Sequence, residues 1–387
     1  LEISPPRRIK FQIIGLKISI YVKMKQMKNK KIFTIGGATF DIFIKAHDHS
    51  IIRIRDQHSS KELLCLDYGG KVKIDEVHET YGGGATNTAV AFSRMGFDVL
   101  FVGTVGDDEY GIKVLENLKK EGVDGRYAKL TKRDMTAFST ILNTFEGDRT
   151  VLAYAGANMF FDSDDLPIDG LVKADWIFLN HLTLPKSKIP NTILNVLKKN
   201  PKIKLAWNPG HEQFEEGIKK WKELLSHTEI LFVNKEEASL FTRTPYKLAG
   251  IKSDDPKCHN HLPSAFLPPY ADDVCEIMYQ FFKTGVKMVV ITDGKNGAQA
   301  SDGKRMYFCP VITHKKVDTL GAGDAFASGF ASARILGKDF ETALKYGTIN
   351  ANSVISFFGA QKGLLTAKEI NKQMKRLDIS VTSIKLN

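Results

Sequence analysis

The chain has 387 residues, 43% of them hydrophobic and 26% charged, with 31 Gly and 13 Pro. That balance excludes disordered, collagen-like and disulfide-scaffold chains and supplies enough apolar material for a sizeable core. The formal net charge is +11, but residues 1–31 hold nine Lys/Arg against a single acid, Glu2, so this stretch contributes +8 and the rest only +3. A body this close to neutral argues against a nucleic acid or other polyanion as partner. Residues 1–30 read as a basic N-terminal extension, disordered or not part of the native chain, since Met24 and Met27 lie just before the first convincing strand. No long apolar stretch followed by a small-residue cleavage site is found there, and no run approaches the roughly 18 apolar residues of a membrane-spanning helix, so no membrane partner is expected. Four scattered cysteines (Cys65, Cys258, Cys275, Cys309) form no CxxC pair, which points to reduced thiols and a cytoplasmic location.

Ile32-Phe33-Thr34-Ile35 is the first strand signal, a short apolar run entering a tight loop at Gly36-Gly37. Residues 42–81 are rich in strand formers and polar turns. Gly82-Gly83-Gly84 precedes a small-residue helix from Thr88 to Met95, stopped by Gly96. Val99 to Val102 reads as a buried strand and Tyr110 to Glu121 as a helix. Thr136 to Asn143 and Thr150 to Tyr154 flank Glu146-Gly147-Asp148 as a hairpin. From Ala174 the pattern alternates, with strands at Trp176–Leu179, Ile203–Trp207, Ile230–Val233 and Met288–Thr292. Helices are expected at Ile189–Lys199, Trp221–Leu225, Glu236–Phe241 and Ala325–Leu336. This spacing predicts an α/β fold, a mostly parallel sheet with helices on both faces. Residues 244–285 interrupt it, opening with a stretch rich in Pro, His and Asp, and read as an insertion loop. Cys258-His259-Asn260-His261 falls there without the second ligand pair that structural zinc requires.

The strongest motif is Asp318-Thr319-Leu320-Gly321-Ala322-Gly323-Asp324, running into the small-residue helix Ala325 to Ala333. Gly321 and Gly323 permit a tight turn, and a helix starting there points unpaired N–H groups at an anion such as a phosphate. Asp324 in that position is suited to taking a proton from a hydroxyl; the same residues also fit a Gly-rich turn in which Asp324 caps the helix. The second motif is Gly82-Gly83-Gly84-Ala85-Thr86-Asn87-Thr88-Ala89. Its glycines allow close approach of a polar ligand, and Asn87 offers a donor and an acceptor to hydroxyls. Asp41, just past the first strand, can accept from two sugar hydroxyls or cap a turn. Strand ends in open α/β sheets are where ligands collect.

Together these stretches resemble the ribokinase/PfkB carbohydrate kinase family. Gly83 to Ala89, with Gly96 and Gly106 downstream, is similar to its first signature, and Asp318 to Asp324, ending in Ser328-Gly329, to its second. The resemblance spans about Ile32 to Leu365. It implies a ribokinase-like kinase domain over 31–380 whose small β lid comes from about 42–81 and 136–154. It further implies transfer of the ATP γ-phosphoryl group to a sugar hydroxyl. In that picture Asp324 is the base, and Gly321, Ala322 and Gly323 form the anion hole. Asp41, Gly83, Gly84 and Asn87 hold the sugar. Asn234, Thr292, Gly294, Gly297 and Asn352 lie along the nucleotide, and Glu237 orders the water around Mg²⁺. Asp318, with the Gly359 region, resembles a monovalent-cation loop, for which K⁺ is the expected ion. A homodimer through the lid is the assembly expected. Two departures bear on the substrate: Gly84 stands where ribokinases often carry Lys, and Asn180-His181 stand where a sugar-binding Glu is usual. A nucleoside kinase and a non-catalytic binding member are the alternatives.

Overall fold

The computed structural model describes residues 30–386 except 47–49, 56–59, 67, 144–148, 245–270 and 313–316. The basic extension before residue 30, the Glu146-Gly147-Asp148 turn and the Cys258–His261 cluster therefore lie outside the described residues. Successive residues of the central strands are buried on opposite faces of one sheet. On β1 (Lys31–Ile35), Ile32 packs into one apolar cluster while Phe33 and Ile35 pack into the other. A continuous apolar run is what a strand covered by helices on both sides requires.

Seven strands pair in parallel. They are β7 (Asp124–Thr131), β6 (Asp98–Gly106), β1, β10 (Trp176–Leu179), β11 (Lys204–Trp207), β12 (Thr228–Asn234) and β13 (Met288–Thr292), in that spatial order. The sheet is then extended antiparallel by β14 (Ala298–Ser301), β15 (Arg305–Cys309) and β16 (Thr382–Lys385). Helices Gly84–Arg94, Ala322–Ile335 and Phe340–Val354 cover one face; Ile189–Lys199, Lys235–Thr242 and Ala271–Phe282 cover the other. A second sheet, in the order β5 (Ile74–Gly82), β2 (Thr39–Ala46), β8 (Phe138–Asn143) and β9 (Arg149–Tyr154), stands apart from the first. It is mixed, because β2 and β8 run parallel while the outer pairs are antiparallel. A separate hairpin joins β3 (Ser50–Arg55) to β4 (Ser60–Cys65).

The expected α/β sandwich and separate small sheet are both present, with corrections at several boundaries. The helix expected from Thr88 begins at Gly84, because Gly83, at φ +92°, turns the chain directly into it. The helix expected from Ala325 begins at Ala322, behind Gly321 at φ +73°. The range 244–285 is not loop throughout: Ala271–Phe282 is a helix whose Val274, Ile277, Met278 and Phe281 are buried, a spacing of three, one and three residues along a single face.

Candidate active site

The order of the parallel strands reverses at β1. The chain passes from β1 outward to β6 and β7, then returns to place β10 on the other side. Ligands in open α/β sheets collect in the crevice outside the strand ends at such a switch point. Gly36-Gly37 leaves β1 there and leads into β2, and Arg149 of β9 reaches Thr319 and Asp318 beside the 322–335 helix, which sets the small sheet at the crevice. Gly83 has to be glycine for packing alone, since a Cβ would lie 2.5 Å from the Gly37 carbonyl oxygen. A Cβ on Gly84 would sit 3.3 Å from Asn180 Oδ1.

The head of the 322–335 helix carries the residues expected to do the chemistry. Gly321 is its left-handed N-cap, packed so tightly that a Cβ would lie 2.3 Å from that of Ala360. The Ala322 N–H, expected in the anion hole, turns back to the Thr319 carbonyl at 3.3 Å. No described residue accepts from the N–H groups of Gly323 and Asp324, and a methyl placed on Gly323 would meet nothing within 4 Å. The free donors are therefore those of Gly323 and Asp324, whereas the N–H of Ala322 is engaged within the turn. Asn87, from the 84–94 helix, donates through Nδ2 to Asp324 Oδ2 at 2.8 Å, while its Oδ1 accepts from Gln361 Nε2 at 3.1 Å. Burial pushes the Asp324 carboxyl above the usual carboxylate range, opposed by the Asn87 bond. Asn87 thus spends an amide proton and its carbonyl on the protein, and Gln361 is a site residue that no sequence motif revealed.

Two glycines separated by one residue carry opposite expectations here. Gly321→Ala should cost about 1–3 kcal/mol through its left-handed backbone and the Ala360 contact, read as a lower Tm. Gly323→Ala meets nothing within the protein, so its Tm should hold. Its methyl would instead displace an anion seated on the free N–H groups, lowering turnover by up to about 10²-fold, the cost of misplacing a reacting group by about 1 Å.

A pocket of about 510 Å³ opens beside this helix head. Thr292, Gly294, Gly297 and Asn352, four of the five residues expected along a nucleotide, line it together with Ala322 and Gly323. Asn234 is not among its lining residues. It caps the 235–242 helix in a capping box with Glu237: Asn234 Oδ1 accepts from the Glu237 N–H and Glu237 Oε2 from the Asn234 N–H, each at 2.8 Å. Burial raises the Glu237 carboxyl; the Asn234 N–H lowers it, and the charges of Glu236 and Asp324 raise it further. Lys235, buried beside them, pairs with Asp293 at 3.5 Å and so ties the head of the 235–242 helix to the loop that lines the pocket.

On the other side, Asp318 is buried, with Oδ1 accepting from the Leu320 N–H at 3.0 Å and Oδ2 from the Gly359 N–H at 3.3 Å. Arg149 of β9 reaches it at 3.6 Å and also donates to the Thr319 hydroxyl. This arginine had no local signal in the sequence. Its guanidinium supplies positive charge at the carboxylate expected to face K⁺. No group of three or more His, Cys, Asp or Glu able to hold a metal occurs among the described residues. Glu237 keeps one carboxylate oxygen outside its capping box, which fits Mg²⁺ held chiefly by phosphates and water. Asp41 is buried on β2 opposite Ser139 of β8, and its carboxyl is pushed up to about 6, mainly by burial.

A wide parallel sheet with a small sheet over its switch point and an anion-ready helix head defines the ribokinase-like class of folds. Ribokinase of Arabidopsis thaliana, solved with ribose and ATP, superposes with a TM-score of 0.69 at 21% identity, covering 89% of this chain and 98% of that one. A nucleoside kinase of Methanocaldococcus jannaschii gives 0.64 at 18% identity, covering 90% and 99%. In sequence, the chain is 29% identical over 294 residues to Bacillus subtilis ribokinase, covering 75% of this chain and 86% of the relative. It is 25% identical over 279 residues to an ATP-dependent ribose-1-phosphate kinase of Halopiger xanaduensis, covering 72% and 81%. The pfkB family carbohydrate kinase domain matches residues 50–367. The chain belongs to the pfkB family of carbohydrate kinases, phosphotransferases that act on a hydroxyl group.

Proposed function

We propose that this protein transfers the γ-phosphoryl group of ATP to a hydroxyl of a ribose-like sugar, with Asp324 as the base. The observation that carries the reading is the Asp324 carboxylate, oriented by Asn87, at the head of a helix whose Gly323 and Asp324 N–H groups are free beside a 510 Å³ pocket. Asp324 accepts the hydroxyl proton as the oxygen attacks phosphorus. The free N–H groups and the positive end of the helix stabilise charge on the phosphoryl oxygens. Thr292, Gly294, Gly297 and Asn352 flank the nucleotide, and the Asn234–Glu237 box holds the helix that faces it. Glu237 would help hold the water around Mg²⁺, an ion that would neutralise phosphate charge when bound. Asp41 accepts from sugar hydroxyls, and the backbone at Gly83-Gly84 lets the sugar approach.

Release of ADP over a panel of pentoses, sugar phosphates, sugar acids and nucleosides tests the reading. Turnover highest with a free pentose is the expected result; preference for a nucleoside would move the substrate to that class, and none with any acceptor would overturn the activity. The thiols of Cys65 and Cys309, which form no disulfide, support a reducing, cytoplasmic setting. Val77 of β5 and Leu152 of β9 expose apolar surface on one face of the small sheet, which a second copy would cover. Light scattering at micromolar concentration should give twice the mass of one chain; a single-chain mass rejects the dimer.

A further inference from the structure

We infer that Gln361 is a positioning residue for Asp324, the inner member of an amide relay, Asn117–Gln361–Asn87, that fixes which atom Asn87 presents to the reacting carboxylate. The inference rests on the reading of Asp324 as the base. An ionised carboxylate only accepts hydrogen bonds, so Asn87 must show it Nδ2, which lies 2.8 Å away. Asn87 Oδ1 then faces away and needs a donor, and Gln361 Nε2 supplies one at 3.1 Å. The same nitrogen donates to Thr86 Oγ1 at 3.3 Å, a hydroxyl whose own proton goes to the carbonyls of Gly82 and Gly83. Gln361 Oε1 is left as an acceptor, and it accepts from Asn117 Nδ2 at 2.9 Å. Every amide in the chain therefore points its donor toward Asp324.

An amide can reverse its oxygen and nitrogen with almost no change of shape, so partners alone decide which way it faces. Asn87 and Gln361 are only 5% and 7% exposed, which leaves no bulk water to stand in for a missing partner. The backbone of Gln361 is clamped as well. Arg94 Nη1 donates to the Gln361 carbonyl at 3.0 Å and to that of Leu364 at 2.8 Å, while Glu121 holds the guanidinium through two bonds of 2.8 Å. The charged groups around the relay and Asp324 are Glu237, the Asp318–Arg149 pair and the Arg94–Glu121 pair. None of them is altered by substitution within the relay.

Gln361→Glu makes the middle position acceptor-only. Asn87 must then turn Nδ2 to it and show Oδ1 to Asp324, which disfavours the ionised base. The acid limb of kcat against pH should move upward by about one unit, with nucleotide KM unchanged. Gln361→Met removes the donor without adding charge, so it should move the limb in the same direction by a smaller amount; a shift in the Glu variant alone would mark mere charge repulsion and overturn the relay. Asn117→Leu, at a half-buried position, removes the far donor and decides the matter if neither Gln361 variant folds. There too an upward shift is expected and an unmoved limb overturns the inference. Asp324→Asn separates the two levels. If it lowers turnover by about a hundredfold or more while the relay variants keep the wild-type pH profile, the relay falls and the base stands; if it keeps near-normal turnover, both fall.

Discussion

Asp324→Asn should lower kcat by about 10²–10⁴, the range lost when a general base is removed, while nucleotide affinity stays within about twofold. The substitution is nearly isosteric, and Asn87 Nδ2 can donate to the new carbonyl oxygen as it does to the carboxylate. The helix head, its free N–H groups and the pocket beside it are therefore left in place, and only proton acceptance is lost. Stability should move the other way. Burial raises the Asp324 pKa, so at neutral pH the fold must either bury its charge or take up a proton, a cost that a neutral amide does not meet. A variant that melts at or above the wild-type temperature, binds nucleotide and turns over a hundredfold more slowly is the signature of a missing base. Near-normal turnover would leave Asp324 as a structural residue of the helix head. ADP release, calorimetric titration with nucleotide and a melting curve decide between these.

The parts of the fold that were legible in sequence are those whose local chemistry permits one answer. Trp176–Leu179 and Met288–Thr292 are short, largely apolar runs between polar segments, and both are strands with the expected bounds. The Gly321 turn was legible because only glycine sits comfortably at a left-handed N-cap. What escaped was structure set by distant partners. Ala298–Ser301 holds no β-branched or aromatic residue, and it is a strand because β13 and β15 pair with it on either side. Phe340–Val354 contains Gly347 beside Thr348, Asn350 and Asn352, all weak helix formers. It is held by close packing in which Gly329 lies against Tyr346 and Gly347 of that helix. The site divides in the same way. Asn234 and Glu237 were reached through the resemblance, and they meet only three residues apart, whereas Asn87 meets Asp324 across 237 positions and Arg149 meets Asp318 through a strand of another sheet. A lone polar residue has no local pattern that names such a partner.

Asp41→Asn should stabilise the protein and impair it at once. Asp41 is 3% exposed, between the hydroxyls of Thr39 and Ser139, and its carboxyl is pushed up to about 6 from 3.8, mainly by burial, with the charge of Asp318 adding to the rise. A folded-state pKa above the unfolded value means that the folded chain binds the proton more tightly. The stabilisation this gives is fully present below about pH 3.8 and is lost as pH rises through 6. Above that window the ionised form costs up to about 3 kcal/mol, from a shift of roughly two units. The amide removes the titration and keeps both hydroxyl partners, because Ser and Thr can donate to its oxygen. Melting temperature should therefore rise by several degrees at pH 8, with the gap closing as pH approaches 4. Sugar binding should suffer in the same experiment. A carboxylate that accepts from two hydroxyls makes charge-assisted bonds of about 1.5–3 kcal/mol each, so the sugar KM should climb at least tenfold with nucleotide KM unchanged. Higher stability with unchanged sugar KM would take Asp41 out of the sugar site, and a lower Tm at pH 8 would show that its charge is compensated by a partner beyond those hydroxyls.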